Sequence, residues 1–121
     1  MKEYKATNLD YDMRNDSLYI YTKGKRYKGS LDLGDIIIDI ISEDGDIMGI
    51  EILDASKKFK IPKYELKNII SFKIVIEITK DIVKINMKIV VLRRNKKVEK
   101  SIIVKGLNEM NLAEGTVAMT C

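Results

Sequence analysis

Five carboxylates stand in two short stretches of this 121-residue chain: Asp10, Asp12 and Asp16 in the first, Glu51 and Asp54 in the second. Carboxylate oxygens are the hard ligands that Mg²⁺ and Ca²⁺ take, and paired carboxylates also do general acid–base work. On a strand, Asp10 and Asp12 share one face because alternate side chains point the same way. A metal-dependent hydrolase is the chemistry that such a set would serve. The regular series ending in Glu that makes an EF-hand loop is missing. The competing reading gives Asp12 and Asp16 to turn backbone, and Asp54 and Ser56 to capping the turn after a strand. It is the reading adopted, so no catalytic residue, bound metal or cofactor is expected. Glu51 lies mid-strand on one face with Gly49 and Leu53; a cross-strand pair with a lysine is its expected use.

Other chemistries have less to work with. The chain has no His and a single Cys, Cys121, which leaves no nucleophile–imidazole triad and no zinc set. Gly24, Gly29 and Gly34 are followed by no Gly-Lys-Ser/Thr, so no phosphate-cradling loop is expected. The bases gather as Lys23, Lys25, Arg26 and Lys28, as Lys57, Lys58, Lys60 and Lys63, and as Arg93, Arg94, Lys96 and Lys97. Residues 1–61 hold 10 Lys/Arg and 12 Asp/Glu, a net of −2, while residues 62–121 hold 12 and 6, a net of +6. The first and last clusters, with Tyr19, Tyr21 and Tyr27 near the first, are the candidates for nucleic-acid contact. Loop lysines that protect sheet edges are the ordinary alternative.

These residues need elements to position them. Leu9–Met13 reads as a short extended segment before the turn Arg14-Asn15-Asp16. Residues 17–22, 27–33, 35–41 and 47–53 read as strands, with Asp44-Gly45 a hairpin signal. Pro62 suits the first position of a helix, and Leu66, Ile69 and Ile70 recur at helical spacing, which predicts one short helix over 62–70. Three longer strands follow: Phe72 to Thr79, Val83 to Val91, and Val98 to Val104. Their strict alternation predicts one buried and one wet face, as in an antiparallel meander. After Gly106, either Leu107, Met110 and Leu112 form a short helix or Thr116–Thr120 an edge strand.

Two stretches carry a resemblance. Tyr11-Asp12 followed by Asp16-Ser17-Leu18-Tyr19-Ile20, and Asp44-Gly45 followed by Gly49-Ile50-Glu51-Ile52-Leu53-Asp54-Ala55-Ser56, resemble the opening and closing signatures of the YuzE-like family of unknown function (domain of unknown function 2283). The resemblance covers residues 9–56. It implies a small β-rich domain with no established activity. Some members are encoded beside small toxins, so an antitoxin-like role is a further implication. Where members often carry acids before the Asp-Gly turn, this chain has Ile40 and Ser42, and the strands after Pro62 lie outside the family core.

The expectation is therefore one domain over 1–121, with a YuzE-like core at 9–56 and a helix plus β extension at 57–121. It is mainly β, a β-dominated α+β fold with an antiparallel meander of about seven or eight strands, curled or two-layered. Function is expected in non-enzymatic binding or protein interaction, as a homo-oligomer (a homodimer) with room for a protein partner. The alternatives are weak nucleic-acid binding through the basic second half, and the carboxylate hydrolase. The charged start Met1–Lys5 has no apolar signal region and the longest aliphatic run is Ile89–Leu92, so a soluble, cytoplasmic protein away from membranes is expected. An Ile/Lys-rich composition without Gln suggests a thermophilic or AT-rich prokaryotic source.

Overall fold

The computed structural model describes residues 2–6, 8–22, 27–34, 36–41 and 47–121. Ten strands and two helical turns follow one another as β1 (Lys2–Lys5), β2 (Asn8–Asp12), β3 (Ser17–Tyr21), β4 (Tyr27–Asp32), β5 (Ile36–Ile41), β6 (Ile47–Ile52), α1 (Ala55–Phe59), α2 (Lys63–Leu66), β7 (Ile69–Ile78), β8 (Ile82–Arg93), β9 (Lys96–Leu107) and β10 (Gly115–Thr120). They build two five-stranded sheets. Sheet I has the order β1-β10-β7-β8-β9, and sheet II the order β2-β3-β6-β5-β4.

Period-2 patterning decides which way each strand faces. In β8, Val83, Ile85, Met87, Ile89 and Val91 are all fully buried, while the residues between them are exposed or half-buried. Leu18 and Ile20 of β3, Ile50 and Ile52 of β6, and Ile36 and Ile38 of β5 do the same for sheet II. These two inner faces share one core, so the chain is a two-layered, β-dominated domain. Helix α1 joins the layers: its Phe59 packs edge-to-face on Phe72 of β7, ring centres 5.9 Å apart. Among the described residues the strand pairs are antiparallel except β1 with β10, which run parallel.

Three local readings differ from the structure. The helical spacing of Leu66, Ile69 and Ile70 ends at Leu66, because Ile69 already pairs with Val91 of β8. Ladder hydrogen bonds and the burial of Phe72 and Ile74 favour the strand over another helical turn. A helical turn at Ala55–Phe59 stands where only a capped turn was expected. Finally, Thr116–Thr120 is a strand but not an edge, since β10 lies between β1 and β7. The hairpin turn expected at Asp44-Gly45 lies outside the described residues. No helix is long and apolar enough to cross a membrane among the described residues.

Candidate functional site

Asp16 is the carboxylate that matters most to the fold. It ends the β2–β3 turn with φ 53°, a left-handed conformation that Asp tolerates better than most side chains. Its buried carboxylate accepts hydrogen bonds from Tyr11 Oη at 2.6 Å, Ser56 Oγ at 2.6 Å and the Ser56 N–H at 3.0 Å. The Asp16 carbonyl accepts from the Ala55 N–H at 3.0 Å. Three of these bonds join the β2–β3 turn to the start of α1, and the fourth ties the turn back to Tyr11 of β2. Burial pushes the Asp16 carboxyl up, but the bonds from Ser56 and Tyr11 outweigh it and leave it lowered. Tyr11 is raised in turn, by burial first and then by the Asp16 carboxylate that its hydroxyl faces.

The neighbouring carboxylates have separate tasks. Asp12 accepts from the N–H groups of Arg14 and Asn15 and from Asn15 Nδ2, a turn-closing pattern that holds its carboxyl below the ordinary range. Asp10 accepts from Tyr21 Oη at 2.7 Å, and Tyr21 is raised by that bond. Glu51 accepts from Ser17 Oγ at 3.1 Å, where a lysine was expected. Asp54 sits at φ 52° before α1 and makes no side-chain cap. Helix α1 begins instead with Ala55 and Ser56 donating to Asp16, so the capping expected of Asp54 is supplied by a residue of the β2–β3 turn.

Register gathers some of these groups on the outer face of sheet II. Asp10, Tyr19 and Glu51 are direct neighbours across β2, β3 and β6. Gly49 is the next outward position on β6, opposite Tyr21, and the rings of Tyr19 and Tyr21 stack over it with centres 4.5 Å apart. A Cβ on Gly49 would come within 2.7 Å of the Ile20 carbonyl oxygen and 2.8 Å of Tyr21 Cβ. Glycine is what allows that close approach. An open groove of about 480 Å³ lies on this face, lined among others by Asp10, Asp12, Ser17, Tyr19 and Glu51. Of the five candidate carboxylates, the structure brings Asp10, Asp12 and Glu51 to this groove and turns Asp16 inward. Among the described residues no group of three His, Cys, Asp or Glu stands close enough to hold a metal ion.

The basic candidates divide. Lys23, Lys25 and Arg26 lie outside the described residues, and for Lys28 only the backbone position on β4 is described. Arg93, Arg94, Lys96 and Lys97 form the β8–β9 hairpin end, with Arg93 opposite Lys96 and Leu92 opposite Lys97. Two residues the sequence reading passed over belong with them, Tyr64 and Glu65 of α2. Glu65 had a visible signal: it is the sole acid between Ala55 and Ile76, in a stretch full of lysines.

A family model described as "Protein of unknown function (DUF2283)" matches residues 8–56, the segment that contains Tyr11, Asp16 and Ser56. An uncharacterised protein of Methanocaldococcus jannaschii is 50% identical over 112 residues, 92% of this chain and 96% of that protein. A Methanosarcina mazei protein, named as a candidate hypoxanthine phosphoribosyltransferase, is 44% identical over 115 residues, 95% of this chain and 93% of its own length. No solved structure matches the chain. With both signature segments tied together through Asp16, and a relative at 50% identity over nearly its whole length, the chain belongs to this family of small proteins of unknown function.

Proposed function

We propose that the chain is a non-enzymatic interaction module that associates with a second copy of itself through sheet I. The observation that carries this reading is β9. It is a twelve-residue strand at the edge of sheet I, and among the described residues no strand pairs with its outer side. Long edge strands offer a row of unpaired backbone groups to another strand. Beside that edge, Ile103 is 56% exposed, Leu107 64% and Ile82 45%, and Leu107 and Ile82 are direct neighbours. A two-fold axis at Ile102 would pair β9 antiparallel with its copy and set Glu99 opposite Lys105 of the partner subunit. Such a contact is self-complementary in the way a symmetric dimer requires. An antitoxin-like role would place a different protein on the same edge.

The remaining functional groups favour this reading over catalysis. The carboxylates of the groove are engaged by turn N–H groups and by Tyr and Ser hydroxyls. The name of the Methanosarcina mazei relative would bring phosphoribosyl transfer to this chain. A phosphate monoester carries about −1.5 to −2 charges at pH 7, and the carboxylates that line the groove would repel it.

Sedimentation at micromolar concentration tests the proposal. A dimer that persists in 0.5 M salt, on the order of the concentrations that screen surface charge, is expected. Ile103→Lys should give a folded monomer. A wild-type protein that sediments as a sharp monomer would refute self-association.

A further inference from the structure

A second concavity lies at the other charge extreme of the molecule. Arg93 is the last residue of β8, and Arg94 and Asn95 make the two-residue turn into β9 with φ 50° and 64°. Two left-handed residues are what such tight hairpins use, so the backbone beside both arginines is fixed. Helix α2 packs against this end of β8. It contributes Tyr64, Glu65 and, just beyond it, Asn68, which with Leu92, Arg93 and Arg94 line a pocket of about 290 Å³.

Glu65 is only 4% exposed, and both its oxygens accept from Arg93 Nε, at 2.9 and 3.0 Å. As a clamp between α2 and β8, two apolar side chains would serve as well or better. The ion pair adds what an apolar contact does not: it orients the guanidinium of a side chain that stays 43% exposed. The pair is made through Nε, so among the described residues both Nη groups are left for something else. A fixed guanidinium fork is the geometry that phosphate oxygens accept. Arg94 places a second cation on the rim. Arg93 and Arg94 outnumber Glu65 in the lining, so the local field favours an anion. Tyr64, 67% exposed, completes the lining with a flat ring in water. Exposed aromatics beside cations are the platforms on which nucleobases stack.

We propose that this pocket binds a nucleotide unit, its phosphate on Arg93 and Arg94 and its base on the Tyr64 ring. Both a free mononucleotide and one residue of a single-stranded RNA have this chemistry. The site binds and does not transfer, since Glu65, its one carboxylate, is held by Arg93.

Titration of the full ¹⁵N-labelled chain, followed by NMR, tests this with four probes: adenosine 5′-monophosphate, ribose 5-phosphate, adenosine and a hexauridylate. The mononucleotide should shift the amides of residues 64–68 and 92–96, and either of its halves alone should bind several-fold more weakly. Arg94→Ala and Tyr64→Ala should each weaken binding roughly tenfold, the order expected for one stacking or phosphate contact. Arg93→Lys keeps a cation opposite Glu65, so the protein stays folded, and it should weaken binding by a similar factor because the fork is gone. A hexauridylate that binds far more tightly than the mononucleotide, and loses affinity steeply with salt, identifies RNA as the source. Equal affinities identify the mononucleotide. Absence of shifts in this pocket with any phosphate-bearing probe at millimolar concentration overturns the proposal. Shifts that survive all three substitutions unchanged overturn it as well.

Discussion

Replacing Asp16 separates its side-chain bonds from its backbone conformation. Asp16→Asn keeps a residue type at home at φ 53° and retains one acceptor oxygen for Tyr11 and the Ser56 N–H. It loses the charge and the second acceptor, which faces Ser56 Oγ. A hydrogen bond to a charged group contributes about 1.5–3 kcal/mol, and the amide retains part of that, so a loss of about 1–2 kcal/mol is expected. Asp16→Gly loses every side-chain bond while keeping the left-handed turn, and about 3–4 kcal/mol is expected from the unmet donors. Asp16→Ala adds the penalty of a Cβ in the left-handed region, on the order of 1 kcal/mol more. The predicted order of stability is wild type, then Asn, Gly and Ala. Urea unfolding, with a common slope for all four proteins, measures it. An Asp16→Ala protein within about 1 kcal/mol of wild type would show that the bonds from Ser56 do not hold α1 to the β2–β3 turn.

The same carboxylate predicts acid sensitivity. Its folded-state pKa is lowered, so its contribution is present above the unfolded value of about 3.9 and is lost as the pH falls through the folded one; midpoints measured in urea between pH 6 and 3 should fall more steeply for wild type than for Asp16→Asn. Gly49→Ala forces a Cβ against the Ile20 carbonyl and Tyr21, and overpacking of this kind should lower stability by about 1–3 kcal/mol in chemical denaturation. Ile50→Ala removes a fully buried side chain and should cost about 2–5 kcal/mol. Glu51→Gln keeps an acceptor for Ser17, and a change under about 1 kcal/mol is expected; a clear gain in stability would mark Glu51 as a strained charge.

Strand positions were legible wherever the two-residue period had no competitor. Val83 to Val91 fits no helix, and the structure pairs every residue of that run in order. Ile69 and Ile70 fitted both patterns, and only the presence of β8 beside them decides for a strand. Lys2–Lys5 shows no alternation of its own and is a strand because β10 pairs with it. Ala55–Phe59 carries no readable start signal, since its first N–H bonds reach Asp16, roughly forty residues earlier. The carboxylates were visible as a set, but their partners were not. Asp12 closes its own turn as expected from its type, whereas Asp16, with the same chemistry, serves a distant segment. The basic hairpin was equally visible, and Glu65 stood out as one acid among lysines, but its burial against Arg93 is a tertiary property that the sequence does not carry.

The position of β10 has a consequence for a chain still emerging from the ribosome. The strand pairings described for sheet II and the Asp16 hydrogen bonds to α1 use only residues up to 59, so they can form before β7 is made, although Phe59 still waits for Phe72. Sheet I cannot close in that order. Among the described residues β1 pairs with β10 and with no other strand, and β10 separates it from β7, so this early strand waits for residues 115–120. Closing a contact that spans nearly the whole sequence is a slow step, and until it happens β7 also presents an open edge of the kind that invites pairing between nascent chains.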